Sequence, residues 1–256
     1  MLGIVPAAGA GNRIQPLACS KELLPVGSWH DGLIERPRAV SEYLVERMVL
    51  AGARRICFVI TPQKADIVAY YGAWAGGADA FYVVQPEPDG LCGAIFRALP
   101  FVDDDEEVVV GLPDTVWFPE DGLSLLEPDP LSFLLFPVEQ PELFDAVITD
   151  ERGWIMEMEV RQPAPRSSFV WGAFKARGRT LRALHTIYCE RDRSDVSLGT
   201  LINAYLARGH RARGVHGGHA FADAGTLCGY RQAMQLVSRQ QKQANTRSRV
   251  AQLVAR

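Results

Sequence analysis

Between Pro6 and Gly27 the chain reads PAAGAGNRIQPLACSKELLPVG. Gly9 and Gly11 free the backbone to turn sharply and bring N–H groups close to an anion. Arg13 and Lys21 add fixed positive charge, as a polyphosphate ligand requires, although many glycine loops are only tight turns. Two common phosphate loops are excluded by spacing. A P-loop needs four residues between its glycines and then Lys followed by Ser or Thr, which is absent. A dinucleotide fingerprint needs a small residue three positions beyond Gly11, where Ile14 stands, and a helix directly after it. Pro16 and Pro25 interrupt any such helix.

The elements that must hold this loop alternate in the first half of the chain. Leu2 to Ala7 reads as a short buried strand, AVSEYLVERMVLAG as a helix stopped by Gly52, and RRICFVIT as a strand. KADIVAYYG is a short helix, DAFYVVQ a strand, GLCGAIFRAL a helix, and EEVVVGLPD a strand ending in Asp114. Strands separated by helices predict a mostly parallel sheet covered on both faces. From about Leu131 the pattern is β-rich: LSFLLFPV, FDAVITD, GWIMEMEV and SFVWGAFKA, with a turn between Asp150 and Gly153. Helices return at RTLRALHTIY and LGTLINAYLARG. ARGVHGGHAFAD reads as strand, followed by a helical tail from about Thr226.

Gly9, Gly11, Arg13, Pro16, Leu17, Lys21, Leu24, Pro25 and Val26 together resemble the signature of the sugar-1-phosphate nucleotidyltransferases. Asn12 stands where that family usually has threonine, and Ser20 where it has proline before the lysine. The resemblance implies a three-layer α/β fold with a Rossmann-like, mostly parallel sheet of the nucleotide-diphospho-sugar transferase type and a β-rich acceptor portion. It implies that Ala8, Gly9, Gly11 and Asn12 line the nucleotide, that Arg13 grips the triphosphate, and that Lys21 neutralises charge during transfer. RPRAVSEYLV resembles the family segment in which a proline opens the second helix. GSWHDGLIERP, before it, is longer than usual and is expected to be a loop elaboration. QPEPDGLCGAIFRA resembles the base-binding segment, with Gln85 bonding the base and Gly90 letting it stack close. The glutamine form resembles the thymidylyl- and uridylyltransferase branches, so dTTP or UTP is the expected donor.

By the same resemblance Asp114 and Asp223 (in AFADAGT) are the two metal-binding acids, and oxygen ligands of that kind suit Mg²⁺. At the acceptor end the family pattern changes. Counting from Asp150 and Gly153, Phe144 and Asp145 replace a tyrosine–glycine pair, and Glu159, Val160, Arg161 and Gln162 replace a Glu-Glu-Lys-Pro run. Arg161 keeps the charge that holds an acceptor phosphate, Val160 loses a sugar contact, and Asp145 gains a carboxylate able to read a hydroxyl or an amine. Trp171 and Gly172 are expected to flank the acceptor. The expected partners are a nucleoside triphosphate and a sugar 1-phosphate. A non-sugar acceptor such as phosphocholine, with CTP, and a catalytically silent binding protein are the alternatives.

At 256 residues and 48% hydrophobic the chain can bury one large domain. The sequence divides into a nucleotide half (about 1–130), an acceptor half (131–234) and a basic helical tail (235–256) carrying Arg239, Lys242, Arg247, Arg249 and Arg256. A net charge of −3 leaves no footprint for nucleic acid. No apolar run approaches the roughly 20 residues that span a bilayer, and the opening MLGIVPAAGAG lacks the form of a signal peptide. The five cysteines are scattered and odd in number, which favours free thiols and a cytoplasmic setting. His185, His216 and His219 lack metal spacing. Short chains of the resembled family often associate, so a homo-oligomer is compatible with the resemblance.

Overall fold

The computed structural model describes residues 1–30, 32–87, 89–193 and 197–254, with side chains described through residue 243. The first apolar run forms β1 (Leu2–Pro6), and a β2–β3 hairpin (Pro25–His30, Glu35–Ala39) leads into α1 (Val40–Leu50). Then follow β4 (Arg55–Ile60), α2 (Ala65–Tyr71), β5 (Trp74–Ala75), β6 (Ala78–Val84), α3 (Gly90–Arg97), β7 (Glu107–Gly111) and β8 (Thr115–Phe118). The second half contributes β9 (Leu131–Pro137), β10 (Asp145–Thr149), β11 (Ile155–Val160) and β12 (Phe169–Arg177). It continues with α4 (Gly178–Glu190), α5 (Leu198–Ala207), β13 (Ala212–Val215), β14 (Ala220–Asp223) and α6 (Leu227–Val254).

Among the described residues ten strands join one sheet, in the order β11-β10-β12-β7-β1-β4-β6-β5, with β9 pairing β12 and β13. Its centre, β7-β1-β4-β6, is wholly parallel. That is the predicted architecture. Alternate residues of β4 enter different cores, Cys57 and Val59 with α3 to α5, and Ile56, Phe58 and Ile60 with α1 and α2. Such period-two division is what a sheet covered on both faces demands. The nine-residue β12 joins the halves: it runs antiparallel to β7 and β10 on one edge and to β9 on the other.

Three details differ from the sequence reading. GSWHDGLIERP forms the β2–β3 hairpin, with Trp29 opposite Arg36 and the Arg36 guanidinium 5.2 Å from the Trp29 ring centre. Pro37 therefore lies in β3, opposite Ser28, and the helix opens at Val40. ARGVHGGHAFAD is two strands: β13 extends the main sheet while β14 pairs β8 in a separate ribbon. Gly217 and Gly218 lie between the two, packed so closely that a Cβ at Gly218 would lie 2.0 Å from Phe136 Cδ1.

The boundary drawn at 234/235 falls inside α6, which packs on the hairpin through Ala233 and Val237. Tyr230 Oη donates to Pro25 O at 2.8 Å and Gln241 Nε2 to Ser28 O at 3.1 Å. The side chains of Arg247, Arg249 and Arg256 lie outside the described residues. Gly27 is the contact point, with φ +71° and space for no Cβ, since one would sit 2.6 Å from Val237 Cγ1. Gly27→Ala is expected to lower unfolding free energy by about 1–3 kcal/mol through overpacking and backbone strain. Denaturant unfolding followed by circular dichroism measures it.

Candidate active site

The loop after β1 and the starts of α3 and α5 surround a cleft of about 580 Å³. One end is lined by Ala8, Gly9, Arg13, Lys21, Gln85, Gly90, Asp114 and Asp223. Gly11 and Asn12 do not line it. Gly11 adopts φ +67°, and a Cβ there would press on Lys21 Cδ at 3.1 Å, so its role is to let the lysine stem pass. Asn12 lies exposed in the following turn.

Lys21 opens a single helical turn, Lys21–Leu23, and its Nζ lies 2.5 Å from Asp114 Oδ2. Asp114 follows β7, and the β8–β14 ribbon sets Asp223 opposite Thr115, the next residue along. Ala224 N donates to Asp114 O at 2.8 Å, which closes the two acid-bearing segments together. Asp223 Oδ1 accepts from Gly225 N at 2.7 Å, and Oδ2 is 3.5 Å from Arg13 Nη2. A Cβ at Gly225 would lie 2.8 Å from Asp223 Oδ1, 3.0 Å from Arg13 Nη2 and 3.1 Å from Asp114 Oδ2. One small volume is therefore shared by two acids and a guanidinium, and Gly225 keeps it open.

Burial alone would raise the Asp114 carboxyl, but the Lys21 charge and hydrogen bond outweigh it and hold the group below its ordinary value. Burial likewise acts to lower Lys21, and Asp114 with Glu22 more than offsets it, so the ammonium is kept. Asp223 goes the other way. Burial, then the neighbouring Asp114 charge, pushes its carboxyl up. One buried lysine thus compensates Asp114, while Asp223 is met at 3.5 Å by the more exposed Arg13, which does not offset its burial and the Asp114 charge.

Among the described residues no three His, Cys, Asp or Glu side chains converge. A closed protein cage is therefore not the arrangement here. Two carboxylates, with water and phosphate oxygens completing the shell, is the donor set that Mg²⁺ accepts. The residues fit a hard divalent ion. His185 instead stands over Phe96, and His216 lies 3.1 Å from Thr149 Oγ1.

Gln85 follows β6, and its backbone N–H donates to Ile60 O at 2.8 Å. It is 1% exposed, yet Nε2 has no partner among the described residues. A buried amide without a bond costs on the order of 1–3 kcal/mol, so a ligand group that accepts from it recovers that cost. Gly90, at φ +87°, starts α3 beside it.

At the far end the cleft is lined by Leu143, Phe144, Asp145, Val160, Arg161, Trp171, Ser197, Leu198, Thr200 and Phe221. β10 pairs Asp145 with Val160, and one step along its ladder with β12 (Ala146 opposite Val170) brings Asp145 opposite Trp171. These three share one face of the sheet. Asp145 Oδ2 accepts from Ser197 Oγ and, at 3.3 Å, from Gly199 N, so the carboxylate is tied to the start of α5. Arg161 leaves β11 with φ +45°, its N–H donated to Phe144 O at 3.1 Å, and lines the cleft.

Two expected acceptor residues are not brought there. Glu159 points to the other face of β11, where its carboxylate accepts from Arg166 N at 2.8 Å and Nε at 2.6 Å. Gly172 is a β-bulge packed on Phe136, whose Cε2 would lie 2.5 Å from any Cβ. Sequence reasoning missed Ser197, Thr200 and Phe221. Signals existed for two of them. Ser197 precedes an apolar helical run as an N-cap does, and Phe221 lies two residues before Asp223, on the same strand face.

A family model described as nucleotidyl transferase matches residues 2–240. The chain belongs to that family. Similar curated proteins include the glucose-1-phosphate thymidylyltransferase of Mycolicibacterium smegmatis (strain ATCC 700084 / mc(2)155), 27% identical over 238 residues, covering 89% of this chain and 78% of the relative. That of Neisseria meningitidis serogroup A is 27% identical over 239 residues, covering 88% and 78%. A solved structure of a UTP-bound UGPase from Acinetobacter baumannii superposes with a TM-score of 0.73 at 20% identity, covering 92% of each chain. The last shows a shared fold. In this nucleotidyltransferase no described helix is long and apolar enough to cross a membrane, and Cys19, Cys57, Cys189 and Cys228 form no disulfide.

The raised Asp223 carboxyl has a consequence for stability. A group whose folded pKa exceeds its unfolded value destabilises the fold where both states are ionised, and that cost vanishes as pH falls through the folded pKa. Asp223→Asn is therefore expected to raise Tm near neutral pH, with the gain closing as pH falls toward the ordinary carboxylate range, near pH 4. Melting curves across that range measure it. A gain independent of pH would contradict the electrostatic cause.

Proposed function

We propose that this nucleotidyltransferase takes the nucleotidyl group of a nucleoside triphosphate, dTTP or UTP by preference, and joins it to a sugar 1-phosphate, releasing pyrophosphate. The observation that carries the donor assignment is the convergence of Lys21, Arg13, Asp114 and Asp223 on one volume, with Gln85 Nε2, which has no partner among the described residues, in the same cleft. Thymine and uracil present an N–H beside a carbonyl, which an amide with one donor and one acceptor side can match. The names of the similar proteins support the sugar 1-phosphate.

In the proposed reaction an oxygen of the acceptor phosphate forms a bond to the α-phosphorus, and the bond from that phosphorus to the bridging oxygen of the β-phosphate breaks. Both electrons of the broken bond leave with pyrophosphate. A phosphate monoester has a second pKa of about 6 and is already an anion near neutral pH, so no side chain has to remove a proton. The work left to the protein is alignment and charge compensation. Lys21 and Arg13 face the triphosphate, and Arg161 holds the acceptor phosphate at the opposite end. Asp114 and Asp223 would hold Mg²⁺, which when bound supplies further neutralisation of phosphate charge.

A second reading has its own observation. Asp145 shares the far end of the cleft with Phe144, Trp171 and Phe221, a combination of carboxylate and aromatic rings that also suits a quaternary ammonium. A phosphocholine-like acceptor with CTP is the corresponding reaction.

Pyrophosphate release with Mg²⁺, each nucleoside triphosphate and a panel of sugar 1-phosphates plus phosphocholine separates the two. Release with dTTP or UTP and a sugar 1-phosphate is the expected result. Release only with CTP and phosphocholine favours the second, and none with any pair overturns both. Lys21→Ala is expected to lower kcat by about 100-fold or more while the protein remains folded by circular dichroism. Gln85→Leu is expected to raise the KM for the triphosphate and narrow the difference between bases.

A further inference from the structure

Among the described residues β8 pairs with β14 alone, so the outer edge of β8 must find its partners elsewhere. Ala224 N reaches back to Asp114 O, which makes Thr115 and Asp223 a pair that face each other without exchanging backbone bonds. Two residues along the ladder, Trp117 and Phe221 stand in the same relation. The Trp117 carbonyl therefore points away from β14. The residue is 0% exposed, so solvent cannot satisfy that oxygen.

Arg47 supplies the bond. It lies on α1 and is 2% exposed. Its Nη2 donates to Trp117 O at 2.5 Å, and its Nη1 donates at 2.7 Å to Tyr43 O, one turn back on its own helix. Among the described residues no carboxylate pairs with it. The charge is met instead by the rings of Trp117, Phe118 and Tyr43, whose centres lie 4.8, 5.1 and 5.4 Å from the guanidinium carbon. Burial, then the Arg38 charge, pulls the group down to about 10, which leaves it a cation near neutral pH. Burying a charge without a counter-ion is costly, and an apolar side chain of similar volume would fill the space without that cost. What the guanidinium adds is a planar fork that ties helix to ribbon.

The tie bears on the cleft because of where Asp114 lies, in the turn between β7 of the main sheet and β8. Helix α1 also grips β7: a Cβ at Gly111, the last residue of that strand, would lie 2.5 Å from Leu44 Cδ1. One helix thus holds both sides of the Asp114 turn, through Leu44 and through Arg47. We propose that Arg47 is a positioning residue for the two acids: by fastening the outer edge of the ribbon to α1, it sets where Asp114 and Asp223 meet a metal ion beside Lys21. This rests on the metal reading of the acids given under Proposed function.

Arg47→Met removes the fork and keeps an apolar filling. It is expected to weaken Mn²⁺ binding, read from the free-ion signal by electron paramagnetic resonance, by about tenfold, as removing a support behind metal ligands does. The Mg²⁺ concentration for half-maximal turnover is expected to rise in parallel. The KM for the sugar 1-phosphate is expected to stay within about twofold, because the acceptor end stands on the main sheet. Val45→Ala is the packing control, buried on the same helix. It is expected to lower Tm while leaving Mn²⁺ affinity within about twofold. Unchanged Mn²⁺ affinity in Arg47→Met, or an equal loss in Val45→Ala, overturns the proposal.

Should Arg47→Met melt below the assay temperature, Arg47→Lys decides. Lysine keeps the charge but offers a compact ammonium in place of the fork, and is expected to weaken Mn²⁺ binding about threefold or more. Affinity equal to that of the unaltered protein overturns the proposal. Asp223→Asn tests the reading beneath it. If that variant binds Mn²⁺ as tightly as the unaltered protein, or the unaltered protein binds none, the metal assignment of the acids fails. If Asp223→Asn loses Mn²⁺ and Arg47→Met does not, the role of Arg47 alone fails.

Discussion

Lys21 Nζ and Asp114 Oδ2 are 2.5 Å apart, and removing either would leave a charge buried beside a second acid, Asp223. Breaking one half of such a pair typically costs more than the pair contributes, because the remaining ion is left desolvated. Much of the cleft follows from this. The glycine at 11 is required because the lysine stem crosses it, and the glycine at 225 because the shared volume of Arg13, Asp114 and Asp223 would otherwise be filled. Charge balance is uneven: Lys21 is the one buried ammonium beside the two acids, and the more exposed Arg13, 3.5 Å away, does not bring the Asp223 carboxyl back down. A site left uncomfortable in this way sacrifices stability for binding.

Holding the two acids together is a problem of topology, since they lie in different halves of the sequence. The solution is the β8–β14 ribbon, separate from the main sheet, with Asp223 registered against Thr115 and Ala224 N bonded to Asp114 O. A third apolar cluster, which includes Val116, Phe118, Ala222 and Ala224 of this ribbon together with Val26, Tyr43 and Val237, fastens it to the hairpin and to α6. Helix α6 and the hairpin thus support the metal-binding geometry proposed for the acids while lying outside the cleft. Their packing belongs to the domain, which is why a boundary drawn where the basic residues begin does not coincide with a structural one.

How far the molecule could be read from sequence follows the range of the forces involved. The strand–helix alternation and the loop after β1 are local patterns, and the structure has them where they were expected; Asp114 lies in the turn between β7 and β8, three residues past the strand it was expected to end. Glu159 shows where local reasoning ends. Period-two alternation makes Glu159 and Arg161 share a face, yet Val160 faces the cleft, and Arg161 reaches it only because its φ of +45° turns the chain out of β11. Gly172 is similar: a glycine beside a candidate stacking residue invites a ligand reading, whereas bulge formation against Phe136 requires it. Neither the left-handed turn nor the bulge has a signal in residue type alone, because both are imposed by strands contributed from elsewhere.

The two ends of the cleft differ in what a substitution can change. The proposed donor end is built from loop backbone, a positive-φ glycine and buried charges that compensate one another, so altering one member disturbs the others. The acceptor end is largely a sheet face, on which Trp171, Asp145 and Val160 stand side by side and each can be exchanged without moving its neighbour's backbone. Asp145 is the exception, being tied to Ser197 and Gly199 at the start of α5. Its carboxylate is therefore held by the fold as well as offered to the ligand, and a change there alters both the acceptor surface and the helix that closes it.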